Sequence, residues 1–483
     1  MRNREDYIPV IGLEIHVQLA TKSKIFSGDS AGFGAAANEN ISAISLGYPG
    51  TLPKMNKRAL TMAVKMGLAC HCDIAETMIF DRKNYFYPDL PKGYQITQDR
   101  TPVCKNGFVS IEVDGIKKEV KLFKIHLEED AGKSMHEPGE GFSLIDFNRA
   151  GVPLIEIVTD PVLSSSKEAS AMMSEVRKLV RYLDISDGNM EEGSLRCDAN
   201  ISVMPKGATQ LGVKVEVKNM NSIKNVQRAI DFEIERQIDL INKGETIVQE
   251  TRTFNAGDGS TSSMREKETL TDYRYFPDPD LIPIEITKEQ LKEINNSMPR
   301  LPWEVKEELI KNYGLPEYDA EVLSEDRLLA DYYKEASENA INNKAISNWM
   351  MGPVKSVLNE KNISIKDFAL KPMKLTEIAN FVDEGKVSFS IAVKSIFPEL
   401  EKNPDQSVEE LAKKLNVLLE NNEDEMISMI NEVLNANPKE AAELKKGKKK
   451  LMGMFMGEIM KKSKGKADPK IIKELLEKEI SSL

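Results

Sequence analysis

Several residue classes are scarce in this chain, and each scarcity excludes something. Only four cysteines occur in 483 residues, two of them in Cys70-His71-Cys72. So few thiols cannot staple a chain of this length, which excludes a disulfide scaffold and suits a reducing compartment. No apolar run approaches the roughly eighteen residues of a membrane-spanning helix. The opening stretch, from Met1 to Val17, has basic residues but no apolar segment long enough for a secretory signal. We therefore expect a cytoplasmic protein with no membrane attachment.

Charged residues make up 30% of the chain and apolar ones 41%, enough of each for a soluble body with buried cores. The length suggests about two to four domains. Net charge is −11 and unevenly spread. Lys439 to Lys473 holds twelve lysines against four acids, leaving about −19 for everything else. A basic end on an acidic body suggests that this end alone seeks an anion such as RNA. For a charge run by itself, a solvated helical face is the first explanation.

Alternation of apolar and polar residues is cleanest at the start. Ile11, Leu13, Ile15, Val17 and Leu19 share one face of a strand, with Glu14, His16 and Gln18 on the other. Further strands are predicted over Ile111–Val113, Val120–Leu127, Val152–Val158, Ser194–Met204 and Gly212–Val217. Two helices are predicted, over Ser165–Leu183 and Ser222–Lys243, the second closed by Gly244. Strands outnumber helices and do not alternate regularly with them, so the fold class is α+β with a mainly antiparallel sheet. After Pro283 the pattern turns helical. The expected pieces are a catalytic body at 1–290, a helical domain at 291–403 and a basic helical tail at 404–483.

Some strand residues do not suit a passive sheet. Glu156 sits inside Val152-Pro153-Leu154-Ile155-Glu156-Ile157-Val158, where a buried carboxylate costs several kcal/mol unless a cation answers it. The apolar face of Phe123, Ile125 and Leu127 runs on into Glu129. Glu14 and His16 project from one face of one strand, and Asp198 follows Arg196 in the same register. Each alone reads as a salt bridge or a wet strand edge. Together, several acids and one histidine suggest a divalent-metal site, and their oxygen donors favour Mg²⁺ over zinc. Such sites commonly hold nucleotide phosphates, for which Lys83 and Lys218 supply charge. Asn221 or Ser222 is placed to cap the helix after Lys218, a strand-to-helix corner that suits an anion. Arg196 is a further nucleotide-binding candidate.

Two apparent motifs do not hold. Ala131-Gly132-Lys133-Ser134 ends like a phosphate-binding loop, but Leu127 stands where that loop needs glycine. Cys70 and Cys72 lack a second close pair, so a structural zinc is not expected there. No nucleophile–base pair stands out.

The longer motifs carry a resemblance. Val10-Ile11-Gly12-Leu13-Glu14-Ile15-His16-Val17, the run Phe80 to Asp89, His126 to Lys133, Met190 to Asn200, and Asp272 to Pro277 occur in colinear order. They closely resemble the B-type subunit of the aspartyl/glutamyl-tRNA amidotransferases. The resemblance implies a cradle-like antiparallel body similar to the catalytic domain of glutamine synthetase. It also implies an ATP- and Mg²⁺-dependent ligase acting on misacylated tRNA(Gln) and tRNA(Asn), partnered by an amidase-type subunit and a small third subunit. Glu14, His16, Glu129, Glu156 and Asp198 match its metal site. Two other readings fit less well. A free-standing amide ligase for a small acid has no use for a basic tail, and a non-catalytic RNA-binding scaffold leaves Glu156 and the Glu14/His16 pair unexplained.

Overall fold

The computed structural model describes residues 4–136, 141–266, 273–419, 423–445, 448, 450–463, 467 and 469–482. Asp272, which opens the last of the resembling runs, and parts of the basic run from Lys439 to Lys473 lie outside them. Two compact units divide the chain, Met1–Leu301 and Pro302–Leu483.

The principal strands of the first unit are β1 (Tyr7–Gln18), β2 (Asp81–Asn84), β3 (Tyr94–Thr97), β4 (Phe108–Val113), β5 (Ile116–Glu129), β6 (Pro153–Thr159), β7 (Leu195–Pro205), β8 (Val215–Lys218), β9 (Glu250–Phe254), β10 (Thr261–Glu266) and β11 (Arg274–Pro277). Its helices are α1 (Lys57–Ala69), α2 (Ser166–Tyr182), α3 (Ile223–Lys243) and α4 (Lys288–Asn296). A ten-stranded sheet runs β10-β9-β8-β7-β1-β6-β5 before ending in two very short strands, with β4 paired to β5. All its pairs are antiparallel except β8 with β9. The expected α+β class is therefore borne out. A separate three-stranded sheet has the order β11-β2-β3.

The core lies on one face of the large sheet. Ile11, Leu13, Ile15 and Val17 of β1 are at most 1% exposed, as are Ile155 and Ile157 of β6 and Ala199 and Ile201 of β7. Helix α2 closes against them through Met172, Met173, Val176 and Leu179. Each such side chain contributes about 1.5–3 kcal/mol by leaving water. Ser165 starts α2 by accepting from the Glu168 amide, and Ser222 starts α3 by accepting from Asn225. Gly244 ends α3 with φ of 75°, a conformation open to glycine.

Helix α1 adds to the two helices predicted from the sequence. It buries Ala59, Met62, Ala63, Val64, Met66 and Ala69, while Lys57, Thr61 and Lys65, four residues apart, keep one side polar. Helix α4 begins with a capping box of Thr287 and Gln290, and it packs with the first unit. From Pro302 on, every regular element among the described residues is helical. Near the end of the second unit, Met426, Ile430, Phe455, Ile459, Ile472 and Leu476 form a hydrophobic cluster of their own.

Candidate active site

The alternation that buries one face of the sheet sends the remaining side chains to the other. Those are Glu14, His16 and Gln18 of β1; Arg196, Asp198 and Asn200 of β7; Leu154 and Glu156 of β6; His126 and Glu128 of β5; and Glu216 and Lys218 of β8. Antiparallel registers set Arg196, His16, Glu156 and His126 side by side across four strands, and Asp198 beside Glu14. This face floors a cleft of about 750 Å³. Lys83, Tyr85, Tyr273 and the turn from Lys218 to Asn221 also border it.

Two groups of ligand-type atoms gather on the floor. One is His16, Glu128 and Glu156; the other is Glu14, Asp198 and Glu216; in each the atoms lie within 4.8 Å of one another. In the first, His16 Nε2 is 3.3 Å from Glu156 and 3.8 Å from Glu128, while His126 Nε2 is 3.5 Å and 3.6 Å from the same two acids. Burial opposes charge on His16, but the hydrogen bond and charge of Glu156, with Glu128 and Asp198, outweigh it and push its pKa up to about 9. Burial likewise opposes charge on Glu156, yet His126, His16 and Lys83 hold it well below the usual carboxylate range. Lys83 stands 4.8 Å from the centre of the Tyr273 ring. Its own burial is overcome by Glu128, Tyr275 and Glu156, which raise its pKa.

In the second group Asn200 Nδ2 donates to Glu14 at 2.9 Å. Lys218 pairs with Asp198 and lies 3.2 Å from Glu216. Burial, then the charges of Glu156 and Glu216, raise the pKa of Glu14. One lysine thus faces three converging carboxylates. Three hard oxygen donors with surplus negative charge fit a divalent cation such as Mg²⁺. The first group fits one too, because an imidazolium now answers its two acids where a metal and a neutral imidazole could do so.

Eight of the nine positions expected from the sequence border this cleft: Glu14, His16, Lys83, Glu156, Arg196, Asp198, Lys218 and Asn221. Lys218 is engaged by acids, and Ser222 rather than Asn221 caps α3. Glu129 lies apart from the cleft lining. Its carboxylate pairs with Lys92 and accepts from the Ile96 amide at 2.8 Å, at a smaller cavity of about 190 Å³ that includes Lys24. Burial lowers the Lys24 pKa to about 8. The neighbouring residue Glu128 reaches the floor instead. Parity carries that signal, because Glu128 is in phase with His126 whereas Glu129 is in phase with Ile125 and Leu127. Sequence reasoning missed Glu216 as well, although Val215-Glu216-Val217-Lys218 alternates cleanly and so puts it in phase with Lys218. Cys70, Cys72, Cys104 and Cys197 are all buried, and none belongs to a metal-type group among the described residues.

A sequence profile described as the GatB/GatE catalytic domain matches residues 9–292, and one described as the GatB domain matches 331–480. Among curated relatives, proteins named as the B-type subunit of aspartyl/glutamyl-tRNA(Asn/Gln) amidotransferase match nearly end to end. That of Thermodesulfovibrio yellowstonii is 46% identical over 97% of this chain and 98% of its own length. Those of Chlorobium limicola, at 47%, and Alkalilimnicola ehrlichii, at 48%, cover 97% and 98% of this chain and 98% and 99% of their own lengths. The chain therefore belongs to the B-type subunit family of the aspartyl/glutamyl-tRNA(Asn/Gln) amidotransferases.

Proposed function

We propose that this chain is the ATP-using subunit of a tRNA-dependent amidotransferase. It phosphorylates the side-chain carboxylate of Glu on tRNA(Gln) or Asp on tRNA(Asn), then amidates it to give Gln-tRNA(Gln) or Asn-tRNA(Asn). A carboxylate resists attack by ammonia because oxide is a prohibitive leaving group. Bonding one of its oxygens to the γ-phosphorus of ATP, with release of ADP, makes that oxygen part of a phosphate that can leave. Ammonia then forms the C–N bond, loses a proton and expels phosphate. The observation that carries this reading is the cleft, where two acid groups and Lys218 share one face of the large sheet and Lys83 borders them from the three-stranded sheet.

Glu14, Asp198 and Glu216 would hold one Mg²⁺, and His16, Glu128 and Glu156 a second. When bound, these ions supply the charge that neutralises phosphoryl oxygens during transfer. Lys83 steadies the transferred group from above the floor. Lys218 and the turn to Asn221 receive the other phosphates at the start of α3. The chemistry requires that the acyl phosphate be kept from water until ammonia arrives.

Ammonia comes from an amidase-type subunit, a small third subunit completes the cytoplasmic complex, and the basic tail binds tRNA. The test is ATP cleavage by the assembled complex on misacylated tRNA. Glu156→Gln and Glu14→Gln should each lower it by about a hundredfold or more while the fold survives. Full turnover in both variants would overturn the reading.

A further inference from the structure

The cleft floor carries a third polar station that belongs to neither acid group. Arg196 Nη2 donates to Asp130 Oδ2 at 2.9 Å, and Gln18 Nε2 donates to the same oxygen at 2.8 Å. Arg149 Nε lies 3.6 Å from it, and the Ala131 amide donates to the other oxygen at 3.0 Å. Asp130 is 4% exposed. Burial opposes its charge, but Arg196, Arg149 and Gln18 keep its pKa below the ordinary value. Arg196, by contrast, leaves 34% of its side chain exposed, and both residues border the cleft. Its Nε is buried and makes no hydrogen bond among the described residues, so the exposed part of the side chain is not that nitrogen. One edge of the guanidinium is thus anchored, and the group retains donors for another partner.

The order of stations along β1 says which partner. Glu14, His16 and Gln18 follow one another on one face, about 7 Å apart. At the Glu14 end stand Asp198, Glu216, Lys218 and the turn into α3. In the middle stand His16, Glu128 and Glu156. At the Gln18 end stands Asp130, and Arg196, beside His16 in register, reaches over to it with its guanidinium. In-line phosphoryl transfer puts the accepting oxygen opposite the leaving one. With ATP anchored at the α3 end, as the proposed function has it, the acceptor must approach from the Arg196 end.

We infer that Arg196 takes the side-chain carboxylate of the aminoacyl group, and that Asp130 and Gln18 are positioning residues that set its guanidinium plane. A guanidinium suits this task, since it stays charged at working pH and its donors are fixed in one plane. It holds one carboxylate oxygen and leaves the second to attack phosphorus. It also discriminates, because the neutral amide of the product gains less from a cation than the substrate carboxylate does.

The test uses the assembled complex and reads two quantities without ATP turnover. The first is the ratio of Kd for Gln-tRNA(Gln) to Kd for Glu-tRNA(Gln); the second is Kd for a non-hydrolysable ATP analogue. Arg196→Gln should bring the first ratio to about one, and Asp130→Asn should reduce it about fivefold or more. Both should leave the analogue within about threefold of wild type. Should Asp130→Asn misfold, Gln18→Leu disturbs the same carboxylate from a less buried position. An unchanged ratio in Arg196→Gln, with analogue binding weakened tenfold, would assign Arg196 to the nucleotide and overturn the inference while leaving the proposed function intact. Failure of the wild-type complex to amidate would instead strike the proposed function itself.

Discussion

Replacing Glu156 by glutamine in the metal-free protein should release His16 from its raised pKa. Glu156 accepts from His16 at 3.3 Å and supplies the strongest of the influences that hold the imidazole near pH 9 against burial. A fall from about 9 to the ordinary 6.5 corresponds to ~3 kcal/mol of favourable interaction lost from the charged imidazole. Glu128 and Asp198 remain, while burial pulls the other way, so the variant should titrate at about 7 or below. Because the folded pKa exceeds the unfolded one, the stability His16 contributes is complete below pH 6.5. It is lost as the pH rises through about 9. Two measurements follow from this sign. His16 is one of four histidines, so its ring resonances can be assigned and titrated by NMR in both proteins. The Tm gap between wild type and Glu156→Gln should also narrow from pH 6.5 to pH 9. An unchanged His16 midpoint, or a flat gap across that window, would refute the electrostatic account of the first acid group.

Glu128 and Glu129 are adjacent but should respond differently. Glu128→Gln should abolish metal-dependent ATP cleavage, whereas Glu129→Gln should leave metal binding intact and cost about 1–3 kcal/mol of stability by leaving half-buried Lys92 without its partner; metal titration with chemical denaturation separates the two. The chain alone should show no glutamine-dependent amidation, but joined to the small third subunit it should use ammonium; amide formation from glutamine by the isolated chain would contradict the division of labour. Removing the residues after Pro404 should raise KM for aminoacyl-tRNA and flatten its salt dependence, with little change in ATP binding; equal tRNA affinity across a salt series would reduce the tail to a solvated appendage.

What the sequence determined by itself is what a two-residue period can carry. The run from Ile11 to Leu19 declares both a buried face and a polar one, and the same alternation places Glu156, Asp198 and Arg196 on strands from local pattern alone. Cap residues also speak locally: Ser165, Ser222 and Gly244 mark helix ends by hydrogen bonds and backbone freedom that involve only near neighbours. Helix α1 was legible in the same way, since Lys57, Thr61 and Lys65 form a polar stripe opposite Ala59, Met62, Ala63 and Met66. Tertiary structure alone decided which polar residues meet. The pairing of His16 with Glu156 and Arg196 depends on registers between strands more than a hundred residues apart in the chain, which no local pattern encodes. Those registers divide one expected metal cluster into two groups and bring Glu128 and Glu216 to them. They also bring the side chain of Arg196, at the start of β7, across β1 and β6 to Asp130, just past the end of β5. A period of two assigns a side chain to a face; only the packing of distant strands gives it a partner.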